Sequence, residues 1–144
     1  MALKNYTTNI SSGRTIGEIQ QILSKHGATA IMTEYKDGEA TALSFKINTT
    51  KGEVGIKLPS NIDRVLKVLK SQKQKNGQIK DTKEQATRVA WRIIKDWIEA
   101  QMAILETEMV DMEEIFLPYV INRNGQTLYQ AFQSNQLMIE ESGE

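Results

Sequence analysis

Leu43-Ser44-Phe45-Lys46-Ile47-Asn48 alternates apolar and polar side chains without a break. A strand turns successive side chains to opposite faces, so this stretch describes a sheet with one buried face and one wetted face. A strand at 28–35 precedes it across Lys36-Asp37-Gly38-Glu39, and another at 54–58 follows it across Thr50-Lys51-Gly52. Together the three form an antiparallel meander. Residues 4–10 are a candidate for one extra edge strand, although their Asn, Thr and Ser content favours turns.

The buried face needs a helical cover, and the flanking sequence supplies it. Thr15-Ile16-Gly17-Glu18 reads as a capping box opening a helix whose Ile16, Ile19, Ile22 and Leu23 share one side and which ends at His26-Gly27. Pro59-Ser60-Asn61 starts a second helix, with Ile62, Val65, Leu66 and Leu69 opposite Arg64, Lys67 and Lys70. Residues 71–80, rich in Gln, Lys, Asn and Gly, predict an exposed loop, the most mobile internal segment. Asp81-Thr82-Lys83-Glu84 is a second capping box, and the helix after it runs for about seven turns without Gly or Pro. Its apolar residues, Ala86, Val89, Ala90, Ile93, Ile94, Trp97, Ile98, Met102 and Leu105 among them, fill more than one stripe. The surplus predicts a second packing surface, which in so small a chain points to another subunit.

Asp111-Met112-Glu113-Glu114 opens a short helix that Pro118 must end or bend. Tyr119-Val120-Ile121 reads as extended, Asn122-Arg123-Asn124-Gly125 as a turn, 127–132 as a last helical turn or two, and 134–144 as a frayed tail. The expected fold is therefore α+β: a small antiparallel sheet packed with a long C-terminal helix and shorter ones, in one domain spanning the 144 residues.

With no cysteine, disulfides, thiolate metal sites and cysteine nucleophiles are excluded. The first residues, Met1-Ala2-Leu3-Lys4-Asn5, lack the apolar core of a signal peptide, and no apolar run approaches the roughly 20 residues that span a bilayer. A cytoplasmic protein is expected. Its net charge of +0 hides a division: residues 57–83 carry eight Lys/Arg against Asp63 and Asp81, whereas beyond Asp96 only Arg123 is basic among nine acidic side chains. Such asymmetry suits nucleic-acid contact, self-association of basic and acidic strips, or a simple solvated surface.

Catalytic apparatus is hard to assemble from these residues. The single His26 stands at a helix end, where capping explains it. Glu106, Glu108, Asp111, Glu113 and Glu114 lack the spacing of a calcium loop, and no Gly-Lys-Ser/Thr phosphate loop is present. No enzyme activity, metal or cofactor is expected.

Two clusters suggest binding instead. Arg88 and Arg92 are four apart on the long helix, with Trp91 alongside; two guanidinium forks beside an indole suit a ligand with two phosphates and a flat base. Alternatively, Trp91 is core and both arginines pair with neighbouring carboxylates. The second cluster joins Phe116 to Asn122, Arg123 and Asn124, an aromatic followed by amides and a cation in a turn; there Arg123 could equally just neutralise acidic neighbours.

In order along the chain, the helix at 15–27, the meander ending Gly55-Ile56-Lys57-Leu58-Pro59, the helix Ala86-Thr87-Arg88-Val89-Ala90-Trp91-Arg92, and Met112-Glu113-Glu114-Ile115-Phe116-Leu117-Pro118-Tyr119 resemble small phage proteins of the first Thoeris anti-defence family. The resemblance implies a non-enzymatic sponge in the host cytoplasm. It would sequester glycocyclic ADP-ribose made by bacterial TIR-domain proteins. It also implies a homo-oligomer, dimer to hexamer, with nucleotide pockets at subunit contacts and, in some members, sites for cyclic oligonucleotides such as cyclic trinucleotides. On that reading Arg88, Arg92 and Arg123 bind pyrophosphate, Trp91 or Phe116 stacks on adenine, and Asn122 or Asn124 reads a polar edge. The rival from another class is a phage nucleic-acid-binding accessory protein using the basic helix at 61–73. A third option is a metal-dependent enzyme that cleaves a cyclic nucleotide with carboxylates.

Overall fold

A computed structural model describes residues 2–134. The expected tail lies outside the described residues except for Ser134, which caps the last helix. Strands β1 (Ala28–Lys36), β2 (Glu39–Thr49) and β3 (Gly52–Lys57) form an antiparallel sheet in that order. Asp37 at φ 52° and Gly38 at φ 80° make the two-residue link between β1 and β2. Positive φ at both centres matches the twist of a hairpin, and an Asp-Gly pair adopts it at little cost.

The alternation in β2 is realised: Leu43, Phe45 and Ile47 are buried, while Lys46 and Asn48 are exposed. Near its start Glu34 faces Ala42 but Tyr35 faces Ala40, leaving Thr41 as the extra residue of a bulge. The bulge switches the parity of the strand, so Ala40 is buried with the core residues. Helix α1 (Ser12–Lys25) and the long α3 (Lys83–Glu106) cover this side of the sheet, their Ile19, Leu23, Trp91 and Ile98 meeting Leu43 and Phe45.

Both helix starts differ from expectation. Ser11, not Thr15, caps α1, its Oγ accepting from Arg14 N–H at 3.2 Å; an earlier hydroxyl takes the role and leaves Thr15 buried inside the helix. For α3 the cap is Thr82, accepting from Gln85 N–H, while Asp81 pairs with Lys73 at 3.2 Å.

Helix α2 (Ile62–Lys73) lies along the first half of α3 and builds a second core from Ile62, Leu69, Ala86, Val89 and Ala90. The surplus apolar surface of α3 thus finds part of its cover within the chain. Residues 74–78 and 80 are exposed outside any helix or strand, as expected of the segment 71–80, but 71–73 continue α2, and Ile79, only 3% exposed, is driven into this second core. Nor do residues 4–10 form an edge strand. They make a strap over α3, in which the buried Gln85 donates through Nε2 to the carbonyls of Tyr6 and Thr8. Backbone acceptors that a ladder would have used are captured by one amide.

The open edge of β3 is met from the other end of the chain. After α4 (Met112–Ile115), opened by Glu114 accepting from Asp111 N–H, and a 3-10 turn at Leu117–Tyr119, Val120 pairs with Ile56 and Ile121 N–H donates to Gly55 O at 2.8 Å. Thr127 then caps α5 (Leu128–Gln133). Among the described residues no helix is long and apolar enough to cross a membrane.

Candidate functional site

The arginines of α3 are engaged inside the chain. Arg88 donates through both Nε and Nη2 to Gln85 Oε1, at 3.0 and 2.8 Å, so it steadies the amide that holds the N-terminal strap. Arg92 donates through Nη1 to Glu18 at 2.7 Å and to Thr15 Oγ1 at 3.3 Å. The Thr15 and Glu18 that mimic a cap in the sequence are its partners. Lys95 continues the row and is paired with Glu99 at 2.7 Å. This face cross-links α3 to α1 and to the strap.

The two aromatic rings expected to stack on a base are core residues, which corrects that reading. Trp91 is 0% exposed and spends its indole N–H on Ala40 O at 3.2 Å. Phe116 is likewise 0% exposed, packed edge-on against Phe45 and Trp97 at centroid distances of 5.4 and 5.6 Å. With no accessible face, neither ring can receive a ligand in this chain.

Asn122 is also committed. Its Oδ1 accepts from the N–H groups of Asn124 and Gln126, at 2.9 and 3.1 Å, and so shapes the turn that Gly125, at φ 79°, completes. Arg123 and Asn124 stand exposed at that tip. His26 has Ile22 O 2.7 Å from Nδ1 and Glu106 Oε1, at the end of α3, 3.2 Å from Nε2; it ties two helix ends together. Asp96 is held below its ordinary value of 3.8: burial pushes it up, but the hydrogen bonds from Asn5 and Lys4 and the charges of Lys4 and Lys95 outweigh this.

The sequence reading missed a groove of about 620 Å³ where the β3–α2 corner faces the 3-10 turn and α5. By comparison, the pocket beside Gln72 and Ile79 holds about 220 Å³. Lys57 and Arg64 contribute cations, Tyr119 and Tyr129 rings, and Asn61 and Gln130 amides. Lys57 closes β3, and Arg64 sits in the first turn of α2, whose cap is Asn61 Oδ1 accepting from Arg64 N–H. Tyr119 is braced from the core by an edge-on contact with Trp97 at 5.6 Å. Among the described residues neither Lys57 nor Arg64 has an ion-pair partner, in contrast with Arg92 and Lys95. A volume of this order suits a small organic ligand. Two unneutralised cations, Lys57 at the end of β3 and Arg64 in the first turn of α2, favour an anionic one.

One signal was available in the sequence. Lys57 and Arg64 flank Pro59-Ser60-Asn61, a strand-to-helix corner, and Tyr119 closes the Leu-Pro-Tyr stretch, but nothing local shows that these two stretches meet. Among the described residues no three His, Asp or Glu side chains converge to hold a metal ion.

Fold and groove together define a small α+β protein with an open, cation-bearing cleft beside a three-stranded sheet. No family model, curated protein or solved structure matches the chain.

Proposed function

We propose that this protein is a non-enzymatic binder that captures a small nucleotide of the cyclic ADP-ribose type, glycocyclic ADP-ribose, in the groove between the β3–α2 corner and α5. Such capture would act as a phage sponge against Thoeris immunity in the host cytoplasm. The observation that carries the reading is the pairing of two unpartnered cations, Lys57 and Arg64, with two tyrosines, Tyr119 and Tyr129, in one groove. Pyrophosphate suits the cations, a guanidinium offering a two-pronged contact, and a purine suits the phenol rings. The resemblance over four segments supplies the particular ligand. Sequestration needs slow release and no bond cleavage.

Titration calorimetry with glycocyclic ADP-ribose, followed by heat denaturation and mass analysis of the released nucleotide, tests this. Binding with intact return is expected, and Arg64→Ala should weaken it by roughly tenfold or more, the loss of a charge-assisted hydrogen bond of about 1.5–3 kcal/mol. Absence of binding, or release of an altered product, rejects it.

A further inference from the structure

The groove beside α5 suits an anion with an apolar part, and the chain carries such a segment where it leaves α5. No carboxylate lines the groove among the described residues, so Lys57 and Arg64 meet no negative charge there. Lys67, one turn on from Arg64 along α2 and exposed, adds a third cation without an ion-pair partner among the described residues. Asp63, the acidic residue in the first turn of that helix, is taken by Lys83 at 3.4 Å. The opposite side has apolar surface to spare. Tyr129 is 52% and Phe132 44% exposed on α5, their ring centroids 6.4 Å apart, and Leu117, on the 3-10 turn that α5 packs against, is 52% exposed.

Helix α5 delivers the chain to this place. It ends at Gln133, itself part of the groove lining, and the sequence beyond Ser134 reads Asn135-Gln136-Leu137-Met138-Ile139-Glu140-Glu141-Ser142-Gly143-Glu144. Three consecutive apolar residues precede three carboxylates, and no Lys or Arg follows Arg123 to neutralise them within the segment. At about 3.3 Å per extended residue, the six residues after Ser134 reach roughly 20 Å. Gln133 and Arg64 line one groove of about 620 Å³, which is crossed well within that length.

We propose that residues 137–144 dock in this groove of their own chain, Leu137, Met138 and Ile139 against Tyr119 and Tyr129, and Glu140 and Glu141 on Lys57, Arg64 and Lys67. The segment is then a tethered anion that a small anionic ligand must displace. A short tether holds its end at an effective concentration in the millimolar range, so a weak contact is enough. Exposed ion pairs contribute little one by one, which gives the apolar triad its part in the contact. Docking rests on the chemistry of the groove itself; only the competition rests on the nucleotide proposed for it.

Because the chain has no cysteine, Ser142→Cys in the full chain accepts a single nitroxide label. Docking broadens the amide signals of Lys57, Arg64 and Lys67, and the broadening persists on dilution because the contact lies within one chain. Two full-length variants release the segment by different means. Glu140→Gln with Glu141→Gln removes charge, whereas Leu137→Ser with Met138→Ser and Ile139→Ser keeps it. Each should return those signals toward full height. Equal broadening in all three chains is the mark of a tether that does not dock and overturns the proposal, as does broadening that vanishes on dilution. In calorimetry both variants should bind glycocyclic ADP-ribose about three- to tenfold more tightly than wild type, as expected where roughly a tenth to a third of molecules have the groove open. Tightening by the charge variant alone assigns the effect to general electrostatics and overturns the displacement. If no chain binds this nucleotide while both variants still lose the broadening, the proposed function fails and the docking stands.

Discussion

Arg92 on α3 and Arg64 on α2 carry the same guanidinium in opposite circumstances. Arg92 is mostly covered and donates to Glu18 and Thr15, whereas Arg64 is exposed at the mouth of a groove with no ion-pair partner among the described residues. The aromatics divide in the same way. Trp91, next to Arg92, is sealed in the core, while Tyr119 and Tyr129 line the groove. A cation already saturated by its own chain contributes to holding helices together. A cation left free beside an accessible ring is able to hold a ligand.

The comparison is broken most forcefully at the core. Trp91→Ala should cost about 3–5 kcal/mol, the usual penalty for removing a buried large aromatic, and denaturant unfolding would show it; a loss within the range of surface substitutions would mean that the indole is not the packing centre described. A smaller effect sharpens the contrast between the two arginines. Arg92→Ala should destabilise by about 1–3 kcal/mol because it leaves the half-buried Glu18 carboxylate without its partner, whereas Arg64→Ala should stay within about 0.5 kcal/mol of wild type in stability while losing ligand. If Arg64→Ala unfolds the protein as readily as Arg92→Ala, the distinction between structural and ligand-holding cations fails.

The smallest effect concerns the strap. Asp96 has its proton affinity lowered in the fold by Asn5 and the lysines, so its contribution is fully present above the ordinary carboxylate value of 3.8 and is lost as pH falls through the lower folded value. Asp96→Asn should therefore be the less stable protein near neutrality and should converge on wild type in acid. Parallel stability curves across that window would show that the Lys4 and Asn5 contacts carry no linkage.

Several elements were legible because their causes are local. The period of Leu43, Phe45 and Ile47 specifies the sheet face, Asp37-Gly38 specifies its hairpin, and the unbroken run after Thr82 specifies α3. The same local logic misassigned Thr15 and Glu18, since the pattern of a capping box does not reveal that an arginine from α3 will claim both side chains. The strap at 4–10 and the burial of Ile79 were equally hidden, because both depend on the second core that α2 and α3 create. The surplus apolar face of α3 suggested another subunit, yet part of its cover comes from α2 within the chain.

What the sequence by itself determined is the order of elements, the sheet with its one buried face, and the division of charge. These follow from periodicity, turn chemistry and composition, which act between neighbours in the chain. Which cations are spent and which are free, and the meeting of Lys57 and Arg64 with Tyr119 and Tyr129, were decided only by the tertiary structure. Partners more than fifty residues apart come together there because the segment after α4 returns to the edge of β3, where Val120 pairs with Ile56.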